Sequence, residues 1–353
     1  MTATTAIGLM SGSSLDGLDM ALVRFTEQDD NSLNFAIVEA ETLPYPKHWQ
    51  TLLSEAFNQQ SSALEQLNID YGRYIGQQVR AFAQKHHVQP DFVASHGHTI
   101  FHRPHEGYTL QIGDGQAIAD ACGLTVVNDF RTLDVAKGGQ GAPLVPIGDQ
   151  QLFGCYEICL NIGGIANLSY EEHGQRRAYD LCIANQALNH LAQLLGQPYD
   201  HDGQLARSGH VDAELLQRLN QHPFYNQQPP KSLGREFFEA NQRQLLQGHT
   251  VANLLATMVE HIATQIAQPI AHLPKGKILA TGGGARNSYL MERLQSHTKH
   301  QVVIPEPSIV DYKEALVFAL LGLLRLKGQT NVLASVTGAE SDSCSGHIWR
   351  CAV

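Results

Sequence analysis

The run Ile7-Gly8-Leu9-Met10-Ser11-Gly12-Ser13-Ser14-Leu15-Asp16-Gly17-Leu18-Asp19 decides how the chain begins to fold. An apolar segment enters it and Met20-Ala21-Leu22-Val23-Arg24-Phe25 leaves it, so two strands bracket a tight polar turn. Glycines let the backbone come close to a ligand and take positive φ. Inward-turned amides, with the hydroxyls of Ser11, Ser13 and Ser14, then make a cradle for an anion such as a phosphate. Asp16 and Asp19 do not suit a bare anion, but they suit a Mg²⁺ that travels with a nucleotide. A plain β-hairpin with a decorated turn reads the same way locally, so the rest of the chain has to decide.

Working outward, hydrophobic alternation predicts strands over 5–11, 17–25 and 33–43, then helices near 47–57 and 61–86. The second helix carries Leu64, Leu67, Tyr71, Ile75, Val79 and Phe82 on one stripe. Asp91-Phe92-Val93-Ala94-Ser95 reads as a short buried strand ending in a polar loop. The second half begins alike, with a strand at 157–162, a turn at Gly163-Gly164 and a returning strand at 165–170. A third strand follows at 176–180 and a helix at 185–195. Further helices fit 233–246, 250–272, 287–297 and 311–326, and Lys277-Ile278-Leu279-Ala280 is a strand running into Gly282-Gly283-Gly284. Each half therefore opens with strand, glycine turn, strand, strand and helix. Two α/β lobes of this kind would bring their glycine turns to one cleft, where ligands of such proteins commonly bind. The helix at 250–272 is either core or a dimer interface.

With 353 residues the chain has room for two lobes, and 43 % hydrophobic with 16 % charged residues is the composition of an ordered globular protein. A formal net charge of −10 argues against a nucleic-acid surface. No apolar run approaches the roughly 20 residues needed to span a bilayer, which argues against a membrane protein. The start lacks the pattern of a signal peptide. Six cysteines scattered without CxxC pairing suit buried thiols in a reducing cytosol, although Cys155 and Cys159 are spaced as two ligands could be. A cytoplasmic protein acting on a small molecule is the expectation.

Four glycine-rich or polar turns follow predicted strands: Gly12-Ser13-Ser14, Ser95-His96-Gly97-His98, Gly163-Gly164 and Gly282-Gly283-Gly284. No GxxxxGK[ST] motif occurs, and Asp129-Phe130-Arg131 lacks the partners of a protein-kinase triplet, so a nucleotide site would be of another type. Paired glycine turns from two lobes fit the sugar-kinase and actin-like architecture. The stretch 120–146 predicts a strand that delivers Asp129, Arg131 and Asp134, followed by the open loop from Lys137 to Pro146. Carboxylates bind sugar hydroxyls and an arginine forks onto a carboxylate. An internal Asp–Arg pair that holds the loop down is the other reading. His96 and His98, two apart on an extended segment, with His102 and Asp129, would suit a metal-dependent hydrolase.

Several of these runs, taken in order, resemble the anhydro-N-acetylmuramic acid kinase family. They are Ile7 to Asp19, Ser95 to Thr99, Thr109 to Asp114, Asn128 to Pro146, Leu160 to Leu168, Pro230 to Phe237, Thr281 to Asn287, Glu314 to Ala319 and Ser335 to Ala339. The resemblance implies an α/β fold of two ribonuclease-H-like lobes with a central ATP cleft, as in actin-like ATPases and sugar kinases. It implies an N-terminal lobe over 1–125, completed by part of 310–353, and a C-terminal lobe over 126–353. It further implies an ATP-dependent phosphotransferase that opens 1,6-anhydro-N-acetylmuramic acid with water and phosphorylates its 6-oxygen, in cell-wall recycling. Asp180 would be the base that activates the water and Glu314 a further acid of the site. Gly12, Ser13, Ser14, Leu15, Asp16, Gly17, Leu18 and Asp19 would hold ATP with Gly163, Gly164, Gly282, Gly283 and Gly284. Gly97, His98 and Thr99 would line the sugar, and Asp129 and Arg131 would bind it and its lactyl carboxylate. Mg²⁺ would enter with ATP, and the resemblance suggests a homodimer.

The chain also departs from that pattern. The family continues after its aspartate as Thr-Gly-Pro-Gly-Asn, whereas this chain reads Asp180-Leu181-Cys182-Ile183-Ala184-Asn185. His98 stands where a glutamine is common, and Ile147 follows Pro146 where a histidine is usual. These departures motivate an alternative, a protein that keeps the fold but binds or acts on a related amino sugar. Trp49 and Trp349 read as packing residues.

Overall fold

The computed structural model describes residues 3–12, 15–29 and 32–351. The chain forms two compact units, one from the residues up to Leu152 together with those from Tyr312 onward, the other Phe153–Asp311. In the first unit β1 (Ala3–Ser11), β2 (Gly17–Glu27) and β3 (Leu33–Pro44) form an antiparallel meander. After the helices Lys47–Glu55 and Ser61–Lys85, β4 (Phe92–Arg103) returns parallel to β1. β5 (Tyr108–Ile112) doubles back on the far end of β4, and β6 (Thr125–Asn128) lies parallel to its near end.

The second unit repeats the plan. β7 (Ile158–Ile162), β8 (Ile165–Glu172) and β9 (Gln175–Ile183) are antiparallel, and β10 (Lys277–Thr281) and β11 (Gln301–Val303) add in parallel. The chain then returns to the first unit, where β12 (His347–Trp349) pairs antiparallel with β6. The sheet orders are β12-β6-β4-β1-β2-β3 and β11-β10-β7-β8-β9. Read from the right, both orders run third, second and first strand of the unit and then two more, and among these five only the second is antiparallel to its neighbours, which is the ribonuclease-H-like sheet.

β6 explains why the first unit reaches past the sequence-based boundary at residue 125. Thr125, Val126 and Val127 pair with Phe92, Val93 and Ala94, and β6 is an interior strand that cannot belong to another lobe. The division falls after Leu152 instead.

Burial follows the sequence stripes. Leu64, Leu67, Tyr71, Ile75, Val79 and Phe82 of the helix Ser61–Lys85 pack with Ile7, Leu9, Met20 and Val93 of the sheet. The helix Val251–Ile270 packs Leu254, Leu255, Met258, Ile262 and Ile266 against Ile158, Leu160, Leu188 and Leu191. That helix is core of its own unit. Trp49 lies among Tyr71 and Tyr74 and is 7 % exposed, and Trp349 donates its Nε1–H to Asn128 Oδ1 at 2.7 Å, so both tryptophans pack. None of the six cysteines is joined in a disulfide among the described residues; Cys159 and Cys182 are buried, Cys155 is exposed. Among the described residues no helix is long and apolar enough to cross a membrane.

Three local expectations change. Ser95 to His98 is not a loop but the middle of β4. The continuous helix over 233–246 breaks into Arg235–Phe237 and a wide π turn, Phe238–Gln242, which buries both Phe238 and Gln242 on the inner side. β6 ends at Asn128, so Asp129, Arg131 and Asp134 sit in a turn and the short helix Thr132–Ala136 rather than on a strand.

The other face of the first sheet is covered by the helix Pro307–Leu326. Its approach is so close that a Cβ on Gly8 of β1 would collide with the Ala315 carbonyl oxygen and press on the Ala319 amide. Backbone on both sides leaves nothing flexible to yield. Gly8→Ala is expected to lower stability by about 3 kcal/mol or more. At Gly107, where φ is +67° and a Cβ meets nothing within 4 Å, alanine is expected to cost only about 1 kcal/mol. Urea denaturation midpoints of the two variants check the contrast.

Candidate functional site

In the first unit Ser11 pairs with Leu18 across β1 and β2, which sets the polar turn between them. Leu15 N–H donates to the Gly12 carbonyl at 3.4 Å, and Leu15 takes φ +60°. Ser13 and Ser14 lie outside the described residues. Leu18 is 1 % exposed in the core, and Gly17 lies against the Leu43 carbonyl, so these two serve packing. Asp16 is exposed. Asp19, half-buried, accepts from Thr42 Oγ1 at 2.6 Å.

Glu314 stands one residue before the Gly8 contact. Burial raises its pKa; Lys313 opposes that, Asp19 adds to it, and Arg131 opposes it. Lys313 itself forms a buried ion pair with Asp149 at 2.6 Å. Neither member of that pair was legible in the sequence, because Asp149 and Lys313 are far apart in the chain and a lone lysine beside a glutamate reads as a solvated face.

On β4 the pairing with β1 shifts between Leu9 and Ser11, and Gly97 takes φ +75°. A Cβ there would also stand 2.6 Å from the Ile112 carbonyl oxygen, so only glycine fits. His96 and His98 flank it, 6 % and 5 % exposed, while Thr99 is exposed. His96 Nε2 accepts from Arg131 Nε at 3.1 Å and lies 2.9 Å from its Nη2. A nitrogen that faces a guanidinium is a poor metal ligand, and burial with Arg131 and His98 nearby holds the His96 pKa well below its usual value. Among the described residues no three His, Cys, Asp or Glu side chains are grouped to hold a metal ion. The hydrolase reading has no support here.

Arg131 Nη1 donates to the Gly141 carbonyl at 2.5 Å, and burial lowers the arginine's pKa to about 10. Asp134, fully buried, accepts from the Gly141 N–H at 2.7 Å and from Thr337 Oγ1 at 2.7 Å. Arg131 and Asp134 therefore both hold the glycine loop down, each through the Gly141 backbone rather than by pairing with one another. Asp129 takes φ +58°, the left-handed region that aspartate enters more readily than most non-glycine residues, and uses Oδ1 to accept from Thr132 N–H at 3.3 Å.

In the second unit Gly163-Gly164 is the two-residue turn joining β7 to β8. Its carbonyls accept from the amides of Ala184, Asn185 and Gln186 at 2.8–3.2 Å, so the turn caps the helix Asn185–Gln193. A Cβ on Gly163 or Gly164 would meet no atom closer than 3.6 Å. The protein itself does not require glycine there, which leaves room for a ligand as the reason. Gly282 differs: φ is +79° and a Cβ would stand 2.6 Å from Asn161 Oδ1 of β7, placing the two glycine turns side by side.

Asp180 lies on β9 opposite Asn167, at a bulge that skips Leu181. Its Oδ2 accepts from Leu233 N–H at 2.8 Å, and its own N–H donates to the Lys231 carbonyl at 3.2 Å. Burial raises its pKa above the usual aspartate range, the Leu233 bond opposing. Lys231 is anchored in turn, with Nζ 4.7 Å from the Phe224 ring centroid and donating to the Phe224 carbonyl at 3.3 Å. In the altered run, Leu181-Cys182-Ile183 is the buried end of β9 and Ala184 the cap of the next helix, every residue at most 1 % exposed. Asn185 then donates Nδ2–H to the Ile162 carbonyl at 3.1 Å.

A family model described as anhydro-N-acetylmuramic acid kinase matches residues 4–351. The chain is 35 % identical over 372 aligned residues to the anhydro-N-acetylmuramic acid kinase of Mannheimia succiniciproducens, covering 97 % of this chain and 98 % of the relative. It is 37 % identical over 365 residues to the enzyme of the same description from Vibrio cholerae, covering 97 % of each. Among solved structures it is similar to the activator of the 2-hydroxyisocaproyl-CoA dehydratase from Clostridium difficile with bound ADPNP. There the identity is 12 %, the TM-score 0.45, and the coverage 92 % of this chain and 96 % of that one. It is likewise similar to a ROK family glucokinase from Streptomyces griseus in complex with glucose and AMPPNP, at 11 % identity, TM-score 0.42, and 90 % and 98 % coverage.

Thr337→Val removes one of the two donors to the buried Asp134 and is expected to cost about 1–3 kcal/mol. Hydrogen exchange at the Gly141 amide is the checking measurement. It is expected to accelerate in the variant while amides of the helix Val251–Ile270, in the other unit, exchange as in the parent.

Proposed function

Because the chain belongs to the anhydro-N-acetylmuramic acid kinase family, we propose that it is an ATP-dependent kinase that opens 1,6-anhydro-N-acetylmuramic acid. In the proposed reaction water attacks the anomeric carbon, the bond from that carbon to the 6-oxygen breaks, and the 6-oxygen bonds to the γ-phosphorus of ATP. ADP leaves, and the product is N-acetylmuramic acid 6-phosphate. A base has to take the proton of the attacking water, and transfer of the phosphoryl group rests on positioning and charge stabilisation.

Asp180 is assigned as that base. What carries the assignment is its geometry: one carboxylate oxygen is tethered by the Leu233 amide, and the pKa is raised by burial, so the ionised group is a stronger base than an exposed aspartate. The altered run beyond it supports the same reading, since it fills the core behind the strand and leaves Asp180 itself on a fixed bulge. Binding without turnover is therefore the less favoured alternative.

Gly12 to Asp19, Gly163-Gly164 and Gly282 to Gly284 are assigned to ATP. Mg²⁺ brought by the nucleotide would neutralise phosphate charge. Asp19 fits that ion better than the exposed Asp16, because Asp19 and Glu314 already repel one another and a cation relieves the repulsion. Asp129, with one oxygen engaged in the helix cap, is assigned to a sugar hydroxyl. Arg131 is assigned mainly to the shape of the loop, with its remaining N–H groups for the lactyl carboxylate. The reading places the reaction in the cytoplasm, where ATP is at hand.

Asp180→Asn keeps an oxygen for the Leu233 amide but cannot take a proton. It is expected to lower kcat by about 10²–10⁴-fold with little change in fold. An aspartate works as a base only when ionised, so activity falls as pH drops through its pKa. A raised pKa moves that fall upward, and the acid limb of kcat/KM is expected above the usual aspartate value of about 3.9. Coupled ADP-release assays across pH test both points; an Asp180→Asn variant as active as the parent defeats the assignment.

A further inference from the structure

Four buried polar side chains at the first hairpin, Ser11, Tyr45, Tyr71 and His98, form a continuous line. Tyr45 OH donates to Ser11 Oγ at 2.8 Å, Tyr45 OH and Tyr71 OH are 2.6 Å apart, and Ser11 Oγ lies 2.9 Å from His98 Nδ1. The exposures are 3 % for Tyr45, 0 % for Tyr71, 3 % for Ser11 and 5 % for His98. Such groups are costly to leave unpaired, so the protons are distributed to give each one an acceptor.

Donation by Tyr45 to Ser11 gives the line its direction. The Tyr45 proton is committed to Ser11, so the short contact with Tyr71 has to be donated by Tyr71. The Ser11 proton then goes to His98 Nδ1, which must be bare to accept it. A neutral imidazole with a bare Nδ1 carries its proton on Nε2. Burial favours the neutral ring, lowering the His98 pKa to about 4. Tyr71 also meets the ring edge-on, at 6.5 Å between centroids. Nε2 is left as a donor with no hydrogen-bond partner among the described residues.

We propose that the chain Tyr71–Tyr45–Ser11 locks His98 as a one-way donor whose Nε2–H bonds an uncharged oxygen, carbonyl or hydroxyl, of the bound amino sugar. The proposal rests on the kinase reading for the identity of the sugar. A glutamine at this place would offer a donor and an acceptor on one freely turning amide, whereas the locked imidazole offers a donor alone. His98 is in this way a specificity residue, and Tyr45 and Ser11 are positioning residues that act through it.

The test uses the full chain with ¹⁵N-labelled histidine and a long-range ¹H–¹⁵N spectrum, first without sugar. The expected spectrum assigns His98 as the neutral Nε2–H tautomer, and Tyr45→Phe or Ser11→Ala is expected to mix in the other tautomer. In kinetics with 1,6-anhydro-N-acetylmuramic acid, His98→Leu is expected to raise KM about tenfold or more with a much smaller change in kcat, and His98→Gln to recover most of that loss. An Nδ1–H or doubly protonated His98 in the parent overturns the proposal, and so does a His98→Leu variant with the parent's KM. A parent that fails to turn over the sugar strikes the kinase reading instead, and the sugar-free spectrum then still decides whether the lock exists.

Discussion

The backbone of β1 at Gly8 lies directly against the carbonyl of Ala315, and the placement of acidic groups in the first unit follows from that contact. With no side chain to hold them apart, strand and helix can meet in only one register. That register sets Glu314 near Asp19, at the end of the hairpin, and turns Lys313 toward Asp149. Four charged side chains are thereby buried or half-buried on consecutive or facing positions. Leaving either partner of the Lys313–Asp149 pair alone would strand a buried charge, so the pair also resists any slip of the helix. A backbone contact with no chemistry of its own thus fixes the electrostatics around Glu314.

The second unit reaches comparable rigidity by other means. Its acid, Asp180, is held from the segment that follows the two prolines at 229 and 230, through the Leu233 amide and the Lys231 carbonyl. Lys231 is fixed by aromatic rings and carbonyls rather than by a carboxylate. A cation held that way lends no charge partner to Asp180, and burial is left free to raise the aspartate's pKa. Fixing an acid without neutralising it is what the base proposed for Asp180 requires.

The fold was largely legible because its signals are local. Strand alternation at Ile7 to Phe25 and at Ile158 to Tyr170, with glycine turns between, announces two meanders, and the stripe from Leu64 to Phe82 announces the helix that covers the first. What escaped depends on distant pairing. β6 reads as the start of a second lobe until its partner β4 is known, and Ser95 to His98 reads as a loop because polar residues on a buried strand break the hydrophobic pattern. The site divides in the same way. Glycine turns, Asp180 and Glu314 are visible as motifs, but Tyr45 and Tyr71 look like ordinary core aromatics, and no spacing connects Asp134 with Thr337. Arg131 shows the opposite case, since a loop arginine beside aspartates looks wholly available for a ligand while three of its N–H groups face His96 and Gly141.

The two units differ in how the chain visits them. The second is a single uninterrupted stretch, while the first is left after Leu152 and rejoined at Tyr312. On a ribosome, therefore, the later stretch has its whole core in hand once Asp311 has emerged. The sheet begun earlier still waits for the helix that abuts Gly8, for Thr337 and for β12. Domains usually mature in the order they are made. Here the unit begun earlier is the one completed later, because the helix against Gly8, Thr337 and β12 all follow Asp311 in the sequence.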